Sequence, residues 1–424
     1  MTEHAPLPGV PAPTDWRGAT HQRRMAKRYA AERRFRWLGL AAVLLSAGFL
    51  VMLLVSMLAG GLNGFVQTQI ALPIDFPAAR FAIDPAKLRG PAADLALAAA
   101  DLTGATDAAA IVAYGPGGET LISDGAWTQV RDQLKADPSL LDKRVRLWVP
   151  AADRIDIAAK RDGAPADEAI VAKLTAAHAL TTRFNASFLT GSDSTDPTMV
   201  GIWGALKGSL FTMLVTLLLA FPVGLFSALY LEEYAPRNRW TDLIEVSINN
   251  LAAVPSIIFG LLGLAVFLNT FHLPRSAAIV GGLTLALMTM PVIVIASRNA
   301  IKAVPPSIRE AAFGIGASPV QVVFHHVLPL AMPGILTGTI IGMARALGET
   351  APLLMIGMRA FITAPPGGLR DPATVLPVQI FLWSDQVNRG FVEKTSAAIL
   401  VLLVFLLAMN GIAIYLRNRF ESRW

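Results

Sequence analysis

Residues 38–58 read LGLAAVLLSAGFLVMLLVSML and contain no charged side chain. A helix of about 20 apolar residues crosses the hydrocarbon core of a bilayer, which is about 30 Å thick. Further uncharged stretches follow at 208–231, 246–274, 276–297, 311–344 and 396–416. One such stretch would also fit a buried helix of a soluble protein, but six together favour a membrane protein. We predict transmembrane helices near residues 38–60, 207–230, 249–271, 277–297, 332–358 and 396–416.

The overall composition supports this class. Of the 424 residues, 54% are hydrophobic and 16% are charged, against about 25% charged in ordinary soluble domains. The chain has no cysteine, which excludes disulfides and cysteine-based metal, redox and nucleophilic sites. Its six histidines leave little scope for histidine chemistry. We therefore expect no catalytic residues, no metal site and no cofactor.

Basic residues near the first apolar run predict the orientation of the chain. Residues 1–36 contain eight Lys/Arg and three acidic residues. Such a block could bind nucleic acid, but next to a membrane helix it more often faces lipid headgroups on the cytoplasmic side. The apolar run is longer than the 7–15 residues of a signal-peptide core, so we interpret the first helix as a retained anchor. Six crossings then place both termini in the cytoplasm, in agreement with Arg417, Arg419 and Arg423.

Residues 63–200 have the composition of a soluble domain. They contain 13 Lys/Arg and 17 Asp/Glu, a net charge of −4, and a structureless loop of this length would be unusual. We predict a small periplasmic α+β domain between helices 1 and 2. Its expected elements are a hairpin of strands 111–114 and 119–122 around Gly115–Gly118, a helix at 127–135, strands at 144–149 and 154–158, and a helix at 167–184.

The predicted organisation has four parts. A basic cytoplasmic segment at 1–36 precedes transmembrane helix 1 at 37–62. The periplasmic domain at 63–200 comes next, and residues 201–424 form a core with five further transmembrane helices. No catalytic pattern stands out in the periplasmic domain.

A cytoplasmic segment at 305–330 predicts a helix–turn–helix hairpin. Ser307 and Glu310 have the spacing of a capping box, in which each side chain binds the backbone of the other residue. Gly316 permits a sharp reversal, and a second short helix would end before Pro329. The alternative is an ordinary connecting loop.

Small residues on the hairpin favour a docking role. Ala311, Ala312 and Gly316 are predicted to share one face, where another protein could approach closely. The hairpin would then offer a rigid surface to a partner.

The predicted fifth helix carries an ion pair that needs an explanation. Arg345 would lie near the middle of the membrane, where a charged residue costs about 2.5–3.5 kcal/mol on insertion scales. Glu349 lies one turn later on the same face. A structural ion pair is one reading. The other is an anion site, because a guanidinium matches an oxyanion with two parallel hydrogen bonds.

The same helix carries glycines at a spacing of four residues: Gly334, Gly338 and Gly342. Such a ridge of small residues lets two helices approach closely. Its neighbour could be a second membrane subunit or another helix of this chain.

Residues 305–330 resemble the EAA loop of ABC importer permeases. The matching positions are Glu310, Ala311, Ala312, Gly316, Leu328 and Pro329. His326 replaces an aliphatic residue of the family pattern, a departure that bears on the packing of the second helix. The resemblance implies a type I permease fold and a loop that docks in a groove of a separate ATPase.

Residues 345–354 (RALGETAPLL) resemble the signature of PstA-type permeases of the phosphate-specific importer, and residues 230–236, 249–259 and 376–380 agree. The resemblance implies a multi-pass protein of the bacterial inner membrane, with inorganic phosphate as substrate and Arg345, Glu349 and Thr350 along its path. The implied partners are a PstC-type permease, a PstB-type ATPase dimer and a periplasmic phosphate-binding protein. Membrane lipid is a further expected contact, and nucleic acid is not.

Three alternatives remain open from the sequence. A permease for another oxyanion or for phosphonates would share the hairpin. A membrane-anchored sensor or periplasmic enzyme would use residues 63–200 as its active part, and a passive channel would not need ATP. The sequence has no Gly-x4-Gly-Lys-Ser/Thr phosphate loop, so we expect the ATPase on another chain.

Overall fold

The computed structural model describes residues 18–79, 88, 93–160 and 163–420. The chain divides into two compact units, Met1–Met57 and Leu58–Trp424. Helix α1 (Ala19–Gly61) begins in the first unit, and none of the residues in its most apolar window is buried. Residues 1–17 of the predicted basic segment at 1–36, and Arg423 near the other terminus, lie outside the described residues.

Within the described part, five helical segments are long and apolar enough to cross a membrane: His21–Phe65, Trp203–Tyr234, Ala278–Lys302, Pro319–Gly348 and Gly390–Arg419. A sixth candidate consists of Arg239–Ala252 and Ser256–Thr270, with a bend of 101° between them. The predicted helical membrane protein is therefore confirmed. Its third span, predicted as one helix at 249–271, is broken.

The chain between α1 and the second candidate span, which we call the inserted segment (63–200), has mixed structure. Strands β1 (Val66–Asp75), β2 (Arg144–Pro150) and β3 (Leu180–Phe184) form an antiparallel sheet in the order β2-β1-β3. The predicted small α+β part is confirmed. Its described helices are α2 (Phe76–Ala79), α3 (Ala93–Ala98), α4 (Leu102–Tyr114), α5 (Ala126–Ala136), α6 (Asp153–Lys160), α7 (Pro165–Ala176) and α8 (Ala186–Thr190).

One face of this sheet forms a hydrophobic core with the helices. Alternate residues of a strand share a face, and Leu72 and Ile74 of β1 lie beside Leu147 and Val149 of β2. All four are buried in one cluster with residues of α4 and α5. The opposite face of the sheet therefore carries the polar residues of β2.

Three predictions for the inserted segment were wrong. Residues 111–114 are the end of α4, a helix that Asp101 caps by accepting a hydrogen bond from the Gly104 amide at 2.8 Å. Residues 118–121 form a 3-10 turn rather than a strand, and residues 154–158 belong to α6. These short apolar runs fit both periodicities, and packing of buried residues such as Ile155 decided for helix.

The predicted helix at 167–184 is two elements. Helix α7 ends at Ala176, and His178 at φ 51° reverses the chain into β3. Pairing of β3 with β1 outweighs the helical tendency of the segment. The predicted helix at 127–135 and strand at 144–149 are confirmed by α5 and β2.

Buried charges attach the inserted segment to the last long helix of the chain. The Lys160 ammonium of α6 lies 2.6 Å from Asp156, 3.5 Å from Glu393 and 2.7 Å from the Val66 carbonyl, which accepts its hydrogen bond. The side chains of Lys160, Asp156 and Glu393 are at most 7% exposed. Removing one partner would leave an uncompensated buried charge. This contact therefore holds the start of β1 against the first turn of the last long helix, which begins at Gly390.

The helices of the core follow in order: α9 (Trp203–Leu229), α10 (Arg239–Ala252), α11 (Ser256–Gly263), α12 (Ala278–Lys302), α13 (Pro306–Gly314), α14 (Pro319–Gln321), α15 (Leu328–Gly348), α16 (Ala351–Met355), α17 (Leu376–Ser384) and α18 (Gly390–Phe420). Helix α12 packs against both α9 and α15, and α15 also packs against α18. Wide π-helical turns follow α9, α11 and α14.

The fifth helix differs from its prediction at both ends. It was expected at 332–358, but the helical segment starts at Pro319 and ends at Gly348. Glu349 leaves the helical conformation with φ −80° and ψ 118°, and α16 then begins at Ala351. Pro352 in the first turn of α16 has no amide hydrogen to continue the α15 ladder, which explains the interruption.

Candidate coupling hairpin and substrate pathway

The first arm of the predicted hairpin at 305–330 is α13. The predicted capping box of Ser307 and Glu310 does not form, because the helix begins one residue before Ser307 and its N-cap is Pro305. Proline is well suited to a first turn, where the amide hydrogens have no helical partner. A capping box is present instead at the second arm, between Ser318 and Gln321.

The turn between the arms depends on Gly316. Its φ is +89°, a conformation that residues with a Cβ rarely adopt. The Gly316 amide donates to the Phe313 carbonyl at 2.9 Å, and the Ala317 amide donates to the Ala312 carbonyl at 3.0 Å. These bonds close the end of α13, so the predicted sharp reversal at Gly316 is confirmed.

The second arm does not stop at Pro329, as predicted, but continues into the membrane span. The π-helical turn Val322–Val327 joins α14 directly to α15. Pro329 then sits in the first turn of α15. A π turn already interrupts the regular hydrogen-bond ladder, so a proline there breaks less than it would inside a regular helix. The second arm of the hairpin and the fifth span therefore form one continuous helical segment, Pro319–Gly348.

The small residues of the hairpin do not share one face. Ala312 is 4% exposed and packs with Val323 and Val327 of the second arm. Ala311 and Gly316 are exposed instead. The prediction of a common small-residue face was wrong because Ala312 lies on the side that joins the two arms.

An apolar groove of about 590 Å³ opens beside α13, and its lining includes Ala311, His325, His326 and Pro329. Ile315 is 83% exposed and Phe313 is 51% exposed. Glu310 is also exposed. Clusters of exposed apolar side chains of this kind mark contact sites for other proteins.

An ionic network fastens the hairpin to neighbouring helices. Arg309 of α13 binds Glu233 at 2.7 Å and donates to the backbone carbonyls of Val304 and Ile301. Arg298 of α12, which is 7% exposed, lies 2.6 Å from Glu232.

The same network includes Glu245 of α10, which also binds Arg298, and Lys302, 3.3 Å from Glu232. The sequence reasoning missed this network, since its members are far apart along the chain. The signal available was a pair of adjacent acids at 232–233 at the end of an apolar run.

Arg345 and Glu349 lie at the interruption between α15 and α16. The Arg345 Nε is 3.4 Å from a Glu349 carboxylate oxygen. Arg345 is in the last turn of α15, not in the middle of a long helix as predicted. A cation there is favoured by the free carbonyls at a helix C-terminus.

The guanidinium of Arg345 is held only loosely. Its side chain is 51% exposed, while that of Glu349 is 22% exposed. Ile341, one turn earlier, is 61% exposed, and the space around Gly348 is open. Together with Thr350, which is half-buried at the start of α16, these residues form one exposed surface at the helix break.

The glycine ridge of α15 packs within this chain. An added Cβ at Gly338 would lie 2.1 Å from the Ala296 Cβ of α12. An added Cβ at Gly334 would lie 2.7 Å from that of Ala300, and one at Gly342 would lie 3.0 Å from a Thr289 methyl group. The ridge therefore contacts α12, which decides between the two alternatives left open by the sequence.

The described residues thus form a helical membrane core with broken third and fifth spans and a hairpin that runs into a membrane helix. Residues 220–422 match the model of the family "Binding-protein-dependent transport system inner membrane component". The chain is 32% identical over 247 residues to the probable ABC transporter permease protein YqgI of Bacillus subtilis, which covers 54% of this chain and 83% of that protein. The chain belongs to this family.

The chain has three further similarities to known proteins and families. The phosphate transport system permease protein PstA 1 of Mycobacterium tuberculosis is 36% identical over 206 residues, covering 48% of this chain and 66% of that protein. A chain of the inward-facing MetNI methionine ABC transporter is 18% identical, with a TM-score of 0.43, and covers 52% of this chain and 98% of that one. Residues 22–167 match a domain of unknown function, DUF3333.

The protein is thus a multi-pass inner-membrane permease subunit of an ABC importer. Such a subunit is not itself the ATPase. It works with an ATPase and with a substrate-binding protein, which are separate components of the system.

Proposed function

We propose that this permease subunit imports inorganic phosphate and forms half of the translocation pathway. The observation that carries the proposal is the loosely held Arg345 guanidinium at the break between α15 and α16. The similarity to proteins named as phosphate transport system permeases supports the choice of substrate. A permease for another oxyanion or a phosphonate is the alternative, since those ligands carry the same type of oxygen atoms.

The electrostatics of the break explain why an arginine is needed there. The C-terminus of α15 ends in free carbonyl oxygens, whose partial negative charge repels an anion. Arg345 in that last turn reverses the local sign and offers a planar pair of donors to phosphate oxygens. Non-helical backbone at membrane depth is tolerated where it lines a watery cavity, which fits a pathway at Glu349 and Thr350.

Glu349 is proposed to compete with phosphate for Arg345. At 3.4 Å the ion pair is longer than the 2.7–2.9 Å of a strong charge-assisted bond. An approaching phosphate can therefore replace Glu349 at the guanidinium with little loss. When phosphate leaves, Glu349 returns and keeps Arg345 neutralised.

The hairpin is proposed to receive the movement of the ATPase at the cytoplasmic side. Its surface offers the exposed Glu310, Ala311 and Ile315 beside the apolar groove, and Gly316, Leu328 and Pro329 set the path of its arms. Arg309 links this surface to Glu233 after α9, and the second arm is continuous with α15. Displacement of the hairpin is thereby passed to the helix that carries Arg345.

The remaining assignments follow from this function. We place both termini in the cytoplasm, residues 63–200 in the periplasm and the core at 201–424. The partners are a PstC-type permease, a PstB-type ATPase dimer and a periplasmic phosphate-binding protein.

ATP-dependent uptake of labelled phosphate into vesicles with the complete complex tests the proposal. Arg345→Ala should abolish uptake while the complex still assembles. Arg345→Lys, which keeps the charge and loses the planar fork, should retain a small part of it. Ile341→Ala on the same exposed side is the matched control and should transport as wild type does.

Two further variants separate the parts of the mechanism. Glu310→Lys should leave ATP hydrolysis intact and uncouple it from uptake. Glu349→Gln should slow release of phosphate. Normal uptake by Arg345→Ala would make Arg345 a structural charge and refute the proposed pathway, and preferential uptake of sulfate or phosphonates by the wild type would favour the alternative substrate.

A further inference from the structure

The exposed face of the sheet in the inserted segment carries three arginines and one tryptophan, and two of the arginines lie over the indole ring. Arg144, Arg146 and Trp148 alternate along β2 with the buried residues of the core, so they point to the opposite side. Arg183 of β3 reaches the same indole. The guanidinium carbons of Arg183 and Arg146 lie 5.1 Å and 5.9 Å from the Trp148 ring centre, within cation–π range. We call these four residues the basic face.

The arginines of the basic face form no ion pair with a described residue, and the carboxylate nearest in strand register is Asp75, opposite Arg144. None of its three guanidinium groups lies within 4 Å of a described carboxylate, and the polar contact of Arg146 is with the neutral His178 carbonyl at 2.9 Å. The other arginines that the structure describes in the segment are paired, Arg131 with Asp132 at 2.9 Å and Arg154 with Asp167 at 2.7 Å. The described arginines of the segment that lack an ion pair therefore lie on one face.

This concentration contrasts with the inserted segment as a whole, whose net charge is −4. Arginine and tryptophan also carry a large share of the binding energy in protein interfaces. The chemistry that complements the basic face is an acidic protein surface with a site for the exposed edge of Trp148.

We propose that the basic face docks an acidic surface of the substrate-binding protein that serves this importer. This inference rests on the proposed function, which places the inserted segment on the side where that protein works. The size of the face agrees with a protein partner. In the strand register Arg183 lies opposite Gln67 and Arg144 lies opposite Asp75, so the face extends along nine residues of β1, about 27 Å. A typical interface covers about 800 Å² on each partner, a patch of similar width.

A lipid surface fits the basic face less well. The headgroup region on one side of a bilayer is only about 5–8 Å deep. The Val66 end of β1 lies beside Glu393 at the start of α18, through their shared contact with Lys160. Arg183 lies near that end of β1, whereas Arg144 is at the other end, beyond the reach of headgroups around α18.

Binding of the purified phosphate-loaded binding protein to the complete complex tests this inference. The complex is placed in nanodiscs of phosphatidylcholine, and association and dissociation rates are measured at several salt concentrations. The variant Arg144→Glu/Arg146→Glu/Arg183→Glu should raise the Kd at least tenfold, mainly by slowing association, and should weaken the dependence on salt. Trp148→Ala should instead speed dissociation.

The matched control is Arg131→Glu/Arg154→Glu, which reverses charges of the same segment away from the basic face and should bind as wild type does. If the triple glutamate variant fails to fold, the triple glutamine variant gives the same test with a smaller expected effect. An unchanged Kd in a folded triple variant overturns the inference.

Two other outcomes separate this inference from a lipid contact and from the proposed function. Weaker binding of the triple variant only in nanodiscs that contain phosphatidylglycerol would overturn the inference in favour of a lipid contact. A wild-type complex that neither binds the protein nor imports phosphate refutes the proposed function itself, whereas normal import together with an unchanged Kd in the variant refutes only this inference.

Discussion

Replacing Gly338 by alanine tests how closely α15 packs against α12. The added Cβ would lie 2.1 Å from the Cβ of Ala296, whereas carbon atoms in contact lie about 3.5–4.0 Å apart. Neither group can rotate away, because both methyl groups are fixed to helix backbones. The two helices must therefore separate by roughly 1.5 Å at this level. Overpacking of this kind costs about 1–3 kcal/mol.

The assay is the free energy of unfolding of the purified subunit in mixed detergent micelles, followed by circular dichroism. Gly338→Ala should lower it by about 1–3 kcal/mol. Ala296→Gly in the same chain removes the opposing Cβ, so the double variant should recover most of that loss. The coupling energy of this double-mutant cycle then reports the contact itself.

Gly348→Ala is the matched control, because no atom lies within 4 Å of the Cβ it would add. It should leave the free energy of unfolding nearly unchanged. If Gly338→Ala is as well tolerated as Gly348→Ala, or if Ala296→Gly gives no recovery, then α15 does not pack on α12 through its glycine ridge. The ridge would then be free to contact a second membrane subunit.

Three further outcomes are expected. Gly316→Ala should destabilise the hairpin by about 1 kcal/mol, because the φ of Gly316 is +89°. Faster hydrogen exchange of the α13 amides would report this loss. Gly314→Ala is the control and should have no such effect, because Gly314 has open space around it and an ordinary φ. Glu233→Gln and Arg309→Gln should each cost about 1–3 kcal/mol, and the double variant less than their sum; strict additivity would contradict the observed pairing. Burial, together with the nearby charges of Asp156 and Asp196, raises the pKa of Asp153 from 3.8 to about 6. The ionised form of Asp153 therefore opposes folding. The free energy of unfolding should fall as the pH rises from about 4 to 6. Asp153→Asn should remove this fall and gain on the order of 1 kcal/mol at pH 7, a value reduced for solvent screening; an unchanged pH profile would contradict the raised pKa.

Long apolar runs made the membrane class predictable. A bilayer imposes the same length and polarity on every spanning helix, so residues such as 38–58 report it without knowledge of their neighbours. The hairpin was also predictable in outline, because Gly316 is a local requirement of the backbone. Its details were not: Ala312 faces the second arm, and only the packing of the two arms decides which side of α13 is hidden.

The break at Glu349 shows the limit of periodicity most clearly. The mostly apolar pattern of the fifth span continues on both sides of Arg345 and Glu349, so the sequence predicted one helix at 332–358, whereas the chain leaves the helix after Gly348. This placed Arg345 at a helix end with an exposed side chain rather than inside a helix. Whether a charged side chain in a membrane span is held in an ion pair or is accessible to a ligand therefore depends on the tertiary structure around it.

The sequence by itself determined the class of protein, the number of apolar segments and the residues that match the permease motifs, because these depend on composition and on spacing along the chain. The tertiary structure alone decided which groups meet. It brought Arg309 to Glu233 and Lys160 to Glu393, packed the glycine ridge against α12, and placed Arg146 and Arg183 over the Trp148 ring. Ion pairs and close helix contacts act over a few ångströms in space, and their partners lie up to hundreds of residues apart, so no local pattern encodes them.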